Sequence, residues 1–344
     1  MDLSIFFAGT AGSAPTPGRG LPAVFVKRGG EELLFDCGEG TQRQLLRSVG
    51  LARLDAVFIT HLHADHWLGL PGMLKTFSLQ DRTEPLPVYG PPGLARLMDA
   101  MRLVYGRTGY EVELIELAPM QAVRRERCEI VAVPVQHGER RCLGYALVED
   151  QRPGEFDPQA AQALGIAPGP DFGRLQRGEE VAGVRPEQVM GAPRQGRKVV
   201  ISGDTVPCET IAFAAHEADL LVHEATFLEA DRERALETGH STALQAGEVA
   251  ARAGVRMLAL THVSQRNTVA EALEEARLRF PATEAPRDFD TIEIPFAEHG
   301  GPQLVTWAQR RGAHGRGSPA APAEGGGARD AGEGDPAKER VPSS

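Results

Sequence analysis

The stretch Thr60 to Leu70 reads THLHADHWLGL and follows directly on the apolar run AVFI at Ala56 to Ile59. It puts four potential metal ligands, His61, His63, Asp65 and His66, into six consecutive residues. On a helix, positions two apart point in different directions; on a strand, 61, 63 and 65 share a face that 66 does not. Neither regular state brings all four side chains to one ion. A turn after a strand serving two ions fits better, with His61 and His63 on one and Asp65 and His66 on its neighbour. Without ions, three imidazoles packed in one turn would repel one another when protonated. Imidazole and carboxylate without thiolate suit zinc, with manganese or iron as alternatives.

The same kind of residue recurs wherever a short apolar run ends. DAVFITH finishes on His61, EIVAVPVQH on His137, KVVISGD on Asp204, DLLVHE on His223 and Glu224, and RMLALTH on His262. Each run, bounded by turn residues, reads as a buried strand. Helical patterns follow several of them: PGMLKTFSL, PCETIAFAAH and ALQAGEVAARAG. Strands alternating with helices imply a layered α/β fold, in which ligands bind outside the carboxyl ends of strands. His137, Asp204 and His262 therefore complete the two ligand shells, and Asp204 is the natural bridge because one carboxylate can give an oxygen to each ion. Taken singly these residues are ordinary. A lone strand-end histidine is usually solvated, as His216, His299 and His314 are read here, and Asp204 of SGDT is also a plausible helix cap.

Composition frames this site. The 344 residues are 42% hydrophobic and 24% charged, ordinary values for a globular chain with a sizeable core. A catalytic domain is expected over residues 1–308, with an inserted flexible arm at 151–196 rich in Gly, Pro and Gln. The tail at 309–344 has almost no large apolar side chains and is expected to be disordered. No apolar run is long enough to cross a membrane, and the N-terminus lacks the basic start of a signal peptide. Four scattered cysteines with no CxxC pair argue against disulfides and against a structural zinc knuckle, so a reducing, cytoplasmic setting is expected. The net charge of −10 argues mildly against nucleic acid as a partner. Locally the balance reverses: Arg174, Arg177, Arg185, Arg194, Arg197 and Lys198 face only Glu179, Glu180 and Glu187.

These motifs together resemble the metallo-β-lactamase fold and, more narrowly, the ribonuclease Z family of tRNA 3′-processing endonucleases. The narrower match rests on FFAGTAGSAPTPGRGLPA, LLFDCGEGTQRQL, FITHLHADHWLGLPG, LGIAPGPDFGRLQRGEEV, VVISGDT, VHEATF, GHSTA and THVS, spread in the family's order from Phe6 to Ser264. HLHADH alone is shared with lactamases, glyoxalase II and many nucleases; the arm, HEAT and GHST segments are more restrictive. The resemblance implies a four-layer αββα sandwich with a protruding arm and two zinc ions per subunit. It implies His61, His63 and His137 on one ion, Asp65, His66 and His262 on the other, and Asp204 between them. It further implies Asp65 as proton acceptor, His240 as donor to the leaving oxygen, and Glu224 near enough to orient a histidine.

Two divalent ions about 3.5–4 Å apart can activate water and polarise a phosphoryl oxygen. The implied reaction leaves a tRNA 3′-hydroxyl and a trailer with a 5′-phosphate. Arg174 and Arg177 of the arm and Arg266 of THVSQRN are the implied phosphate contacts, although the family commonly has a Ser-Arg-Tyr run where this chain has Ser264 to Asn267. Precursor tRNA as substrate and a homodimer, with the arm of one subunit reaching tRNA at the other, complete the expectation. The competing reading is a hydrolase of the same fold acting on a small phosphodiester or thioester, for which a distant clamp has no use.

Overall fold

The inner strands are apolar on both faces because both faces are covered. The computed structural model describes residues 2–51, 53–138 and 140–314. Its first strands are β1 (Leu3–Gly9), β2 (Ala23–Arg28), β3 (Glu31–Phe35), β4 (Ala56–Phe58), β5 (Leu86–Gly90) and β6 (Val112–Glu116). Then come β7 (Ala122–Arg125), β8 (Cys128–His137), β9 (Arg140–Glu149), β10 (Lys198–Ile201), β11 (Leu220–Glu224), β12 (Met257–Thr261) and β13 (Thr283–Glu284). The last two, β14 (Thr291–Glu293) and β15 (Gln303–Val305), return to the first sheet. That sheet has eight strands in the order β15-β14-β1-β2-β3-β4-β5-β6, and the second has seven in the order β13-β12-β11-β10-β9-β8-β7.

Strand periodicity assigns each side chain to a layer. Ile5, Phe7, Leu33, Phe35 and Phe58 meet Tyr145, Leu220, Val222 and Ala259 in the core between the sheets. The intervening Phe6, Ala8, Leu34, Val57 and Ile59 pack outward among Leu70, Met73, Leu74 and Phe77 of the helix Leu70–Leu79. On the opposite side Leu221, Leu258 and Leu260 pack with Val249 and Ala250 of the helix Ala243–Ala253. Helix, sheet, sheet, helix is the four-layer sandwich that the resemblance implied. Phe58 is its pin: fully buried, its ring stacks on Phe35 at 5.0 Å and meets Tyr145 edge-on at 5.3 Å. Truncating such a residue to alanine costs about 3–5 kcal/mol.

Within each sheet one half is parallel: β3 to β6 in the first, β10 to β13 in the second. The carboxyl ends of β4, β10, β11 and β12 therefore gather the ligand-type residues that follow them. The helix Ala243–Ala253 begins on Thr242, whose hydroxyl accepts from Gln245 N at 3.2 Å while Gln245 Oε1 accepts from Thr242 N at 2.9 Å. That reciprocal cap, written in the sequence as GHSTALQ, fixes the chain just beyond His240.

The arm departs from its sequence reading. Its Gly, Pro and Gln predict a flexible segment, yet Ala161, Ile166, Leu175, Val181, Val184 and Val189 form a separate buried cluster against Phe156 and Phe172. Two short helices, Pro158–Ala163 and Pro170–Gln176, supply Ala161 and Leu175, and the segments that follow them supply the rest. Asp157 caps the first by accepting from Gln159 N and Ala160 N, both at 2.9 Å. The apolar residues are single and far apart along the chain, so no periodic run announced them. At the other end of the chain, residues 309–314, counted with the expected tail, lie in the helix Trp307–His314. The rest of that tail, 315–344, lies outside the described residues. None of the four cysteines is in a disulfide, and no described helix is long and apolar enough to cross a membrane.

Candidate active site

The loop after β4 carries His61 and His63, the latter in extended backbone, then turns into a single helical turn, Ala64–Trp67, that holds Asp65 and His66. This is the strand-to-turn transition the spacing required. His137 ends β8, Asp204 follows β10, Glu224 ends β11 and His262 follows β12 in left-handed backbone with φ 58°. The ligand atoms of His61, His63, His137 and Asp204 lie within 4.8 Å of one another, and those of Asp65, His66 and His262 do likewise.

Individual separations support that grouping. His63 Nδ1 lies 2.9 Å from His61 Nε2 and 3.0 Å from His137 Nε2. Asp204 Oδ2 lies 3.7 Å from His61 Nε2 and 3.3 Å from both His66 Nε2 and His262 Nε2. His262 Nε2 and Asp65 Oδ2 are 3.5 Å apart. One oxygen of Asp204 thus faces both groups.

The donor set is compatible with divalent ions. Zinc bonds imidazole nitrogen at about 2.0–2.1 Å, so neighbouring donors around a tetrahedral ion stand about 3.3 Å apart. The distances above bracket that value. His63 Nδ1 also faces two other ring nitrogens at once, a convergence that one shared cation satisfies more readily than ring protons do.

The outward nitrogen of each buried ring has its own anchor. His66 Nδ1 lies 2.7 Å from Asp36 Oδ2, His61 Nδ1 3.0 Å from Thr60 Oγ1, and His262 Nδ1 2.8 Å from Thr226 Oγ1. His137 Nδ1 donates to the Gly239 carbonyl at 2.8 Å. Such contacts fix ring orientation and leave the other nitrogen aimed inward. Sequence reasoning missed Asp36, Thr60 and Thr226. Asp36 was within reach: it ends the apolar run LLF of β3, as Asp204 ends KVVI. The two threonines carry no comparable signal.

Charge in the site follows from burial and neighbours. Burial opposes ionisation of Asp65, but the hydrogen bond with His262 and the charges of His66 and His262 hold it below the usual carboxylate range. Asp204 is fully buried, and His262, His66 and His61 overcome that penalty and depress it likewise. Burial and the neighbouring His66 push His61 down. At His240 burial also favours the neutral ring, but Glu224 and Asp204 outweigh it and raise the pKa to about 9.

Glu224 is the hub beside these ligand-type residues. It accepts from Thr205 N at 2.7 Å, from Thr226 Oγ1 at 2.6 Å and from His240 Nδ1 at 2.9 Å. His240 also lies with Asp204 and His262 in a third group of potential ligands. Its Nδ1 is nevertheless closer to Glu224 than to Asp204, which stands 3.9 Å away. His223, the other residue at that strand end, stays apart: its Nδ1 donates to the Glu224 carbonyl at 2.8 Å.

The arginines are less free than their count suggested. Arg174 and Arg177 are exposed on the arm, but both meet Glu179, and Arg174 meets Asp171 as well. Arg266 is exposed on the turn after His262. Arg197, counted among the arm's cations, is buried against Glu149, and Lys198 donates to the His216 carbonyl at 2.7 Å. These two belong to the scaffold rather than to a basic surface, because the arm's second stem has already re-entered the sheet there.

Comparison with known proteins fits this geometry. Residues 31–263 match the model of the β-lactamase superfamily domain. Ribonuclease Z of Myxococcus xanthus is 46% identical over 305 residues, covering 86% of this chain and 99% of the relative. Ribonuclease Z of Methanosarcina acetivorans is 44% identical, covering 86% and 99%. Among solved structures, human tRNase Z, short form, superposes with a TM-score of 0.62 at 30% identity, covering 85% of this chain and all of that one. The metallo-β-lactamase fold protein YhfI of Bacillus subtilis, at 20% identity and a TM-score of 0.63, shares the fold. The chain belongs to the ribonuclease Z family of the metallo-β-lactamase superfamily.

Proposed function

We propose that this chain is a metal-dependent endoribonuclease that removes the 3′ trailer from precursor tRNA, working as a cytoplasmic homodimer with two zinc ions per subunit. The observation that carries the reading is the match to ribonuclease Z relatives along 99% of their length. The convergence of seven ligand-type residues at one edge of the sandwich supplies the chemistry.

His61, His63, His137 and Asp204 would hold one ion, and Asp65, His66 and His262 with Asp204 the other. Ions held there would polarise a phosphoryl oxygen and make water nucleophilic at neutral pH. Asp65, kept ionised by His262, accepts the proton of the attacking water. As the new P–O bond forms, the bond from phosphorus to the tRNA 3′-oxygen breaks. His240, oriented by Glu224, donates the proton that this oxygen needs. The products are a tRNA 3′-hydroxyl and a trailer 5′-phosphate. Arg174, Arg177 and Arg266 are proposed phosphate contacts, the first two after exchanging their present carboxylate partners for the tRNA backbone.

The test is cleavage of precursor tRNAs, with and without an encoded CCA, mapped to the nucleotide before and after chelation. Intact precursors alongside efficient hydrolysis of small phosphodiesters would overturn the reading in favour of a small-molecule hydrolase.

A further inference from the structure

The arm leaves the body through two stems whose polar contacts are concentrated at its root. The backbones of Arg152 and Arg194 bond each other in both directions, at 2.8 and 2.9 Å. Both guanidiniums then converge on one carboxylate. Arg152 grips Glu298 with two parallel bonds of 2.8 and 2.9 Å, and Arg194 reaches the same group at 3.2 Å. Between this tier and the core lies the ring of Phe296. Arg152 sits 3.5 Å over its centroid and Arg197 4.1 Å. Arg197 is itself locked on Glu149 by bonds of 2.8 Å from both Nε and Nη2.

We propose that Phe296 and Glu298 are positioning residues that set the angle of the arm against the catalytic edge, and so the affinity for tRNA. The geometry favours this over a merely stabilising contact. A planar fork on a carboxylate fixes direction as well as distance, and an aromatic ring shared by two guanidiniums fixes the plane in which they lie. The two residues come from the chain after β14, far in sequence from both stems, so they tie the arm's root to the body rather than one stem to the other. The arm's own apolar cluster, by contrast, holds only the arm together. A partly exposed pair such as Arg152 with Glu298 contributes little to global stability, and that makes its orienting role separable.

This inference rests on the tRNA reading, so its test has one readout that needs no tRNA. Glu298→Gln keeps the shape and removes the charge; Phe296→Leu removes the ring and leaves the carboxylate. Hydrogen exchange at the Arg152 and Arg194 amides should accelerate about 5-fold or more in each variant, with exchange around His61 to His66 unchanged. KM for precursor tRNA should rise about 5- to 10-fold with kcat near wild type, while hydrolysis of bis(p-nitrophenyl) phosphate stays within about 2-fold. Unchanged exchange overturns the proposal. So does faster exchange with an unchanged KM, since the clasp would then stabilise the stems without positioning the arm. A wild type that leaves precursor tRNA intact overturns the function and with it the tRNA role of the clasp, leaving exchange to decide whether the stems are held there.

Discussion

Asp36 Oδ2 and His66 Nδ1 stand 2.7 Å apart in a wholly buried pair. Asp36 has no freedom to move away: its oxygens also accept from Thr60 N at 2.8 Å and Thr60 Oγ1 at 2.9 Å. The carboxylate thus ties the end of β3 to the histidine-rich loop after β4 and aims the His66 Nε2 inward. Asp36→Ala should lower metal affinity about 10- to 100-fold, the usual cost of losing a partner behind a ligand. Metal retained after dialysis against graded chelator measures it. Wild-type retention would mean that the turn alone holds His66.

Asp204 should matter more, because its Oδ2 faces His61, His66 and His262 together. Asp204→Ala is expected to lose both ions or nearly so, with activity falling by about 10³-fold or more. Wild-type protein should hold two divalent ions per chain by elemental analysis. A single ion in fully active enzyme would refute the dinuclear scheme.

His240→Ala separates the two roles that the geometry leaves open for this residue. As a proton donor held by Glu224, it should be removable without loss of metal, and precursor cleavage should fall about 10²- to 10⁴-fold. The deficit should shrink on bis(p-nitrophenyl) phosphate, whose leaving group needs little protonation. Metal depletion in the variant would instead assign His240 to the ligands, alongside Asp204 and His262.

These assignments show which features are legible in a chain of residues. Ligand-type residues at strand ends are visible because each is the first His, Asp or Glu after an apolar run, and parallel strands put such positions at one edge. Asp36 obeys the same rule, but Cys37 and Gly38 after it look like an ordinary turn. Thr226 is invisible for another reason. Its contact with His262 joins residues 36 apart through the pairing of β11 with β12, and no local pattern encodes that. The arm's core was missed because its apolar residues lack periodicity, and the burial of Arg197 because its partner Glu149 lies across the arm's root.

That burial has a consequence in acid. Glu149 is flanked by Arg28 and Arg197, both almost entirely buried. Burial alone would raise its pKa, but hydrogen bonds and charge from Arg197, aided by Arg28, lower it below the usual range. A depressed carboxylate stabilises the fold above its unfolded pKa, about 4.3. That contribution is lost as the pH falls through the lower, folded value. Glu149→Ala, which strands two buried guanidiniums, should cost about 3–5 kcal/mol at neutral pH. Denaturant titrations at decreasing pH should show the gap between wild type and variant closing below about pH 4. A gap independent of pH would mean that packing, not charge, holds the stems.

Replacing residues 155 to 193 with a short Gly/Ser linker tests the arm as a whole. The cut preserves Arg152 and Arg194 at the root. It removes a cluster that packs on itself, so the cores between and outside the sheets lose nothing. Precursor-tRNA cleavage should collapse mainly through a higher KM, because binding remote from the reacting bond has been taken away. Hydrolysis of bis(p-nitrophenyl) phosphate at the unaltered edge should survive. Wild-type affinity for tRNA should fall steeply with added salt, and that of the shortened chain less steeply, as phosphate contacts on the arm release counterions. Equal loss of both activities would make the arm a support for the site, and undiminished tRNA cleavage would remove it from substrate binding. Only loss confined to tRNA matches a clamp that acts at a distance from Asp204 and its neighbours.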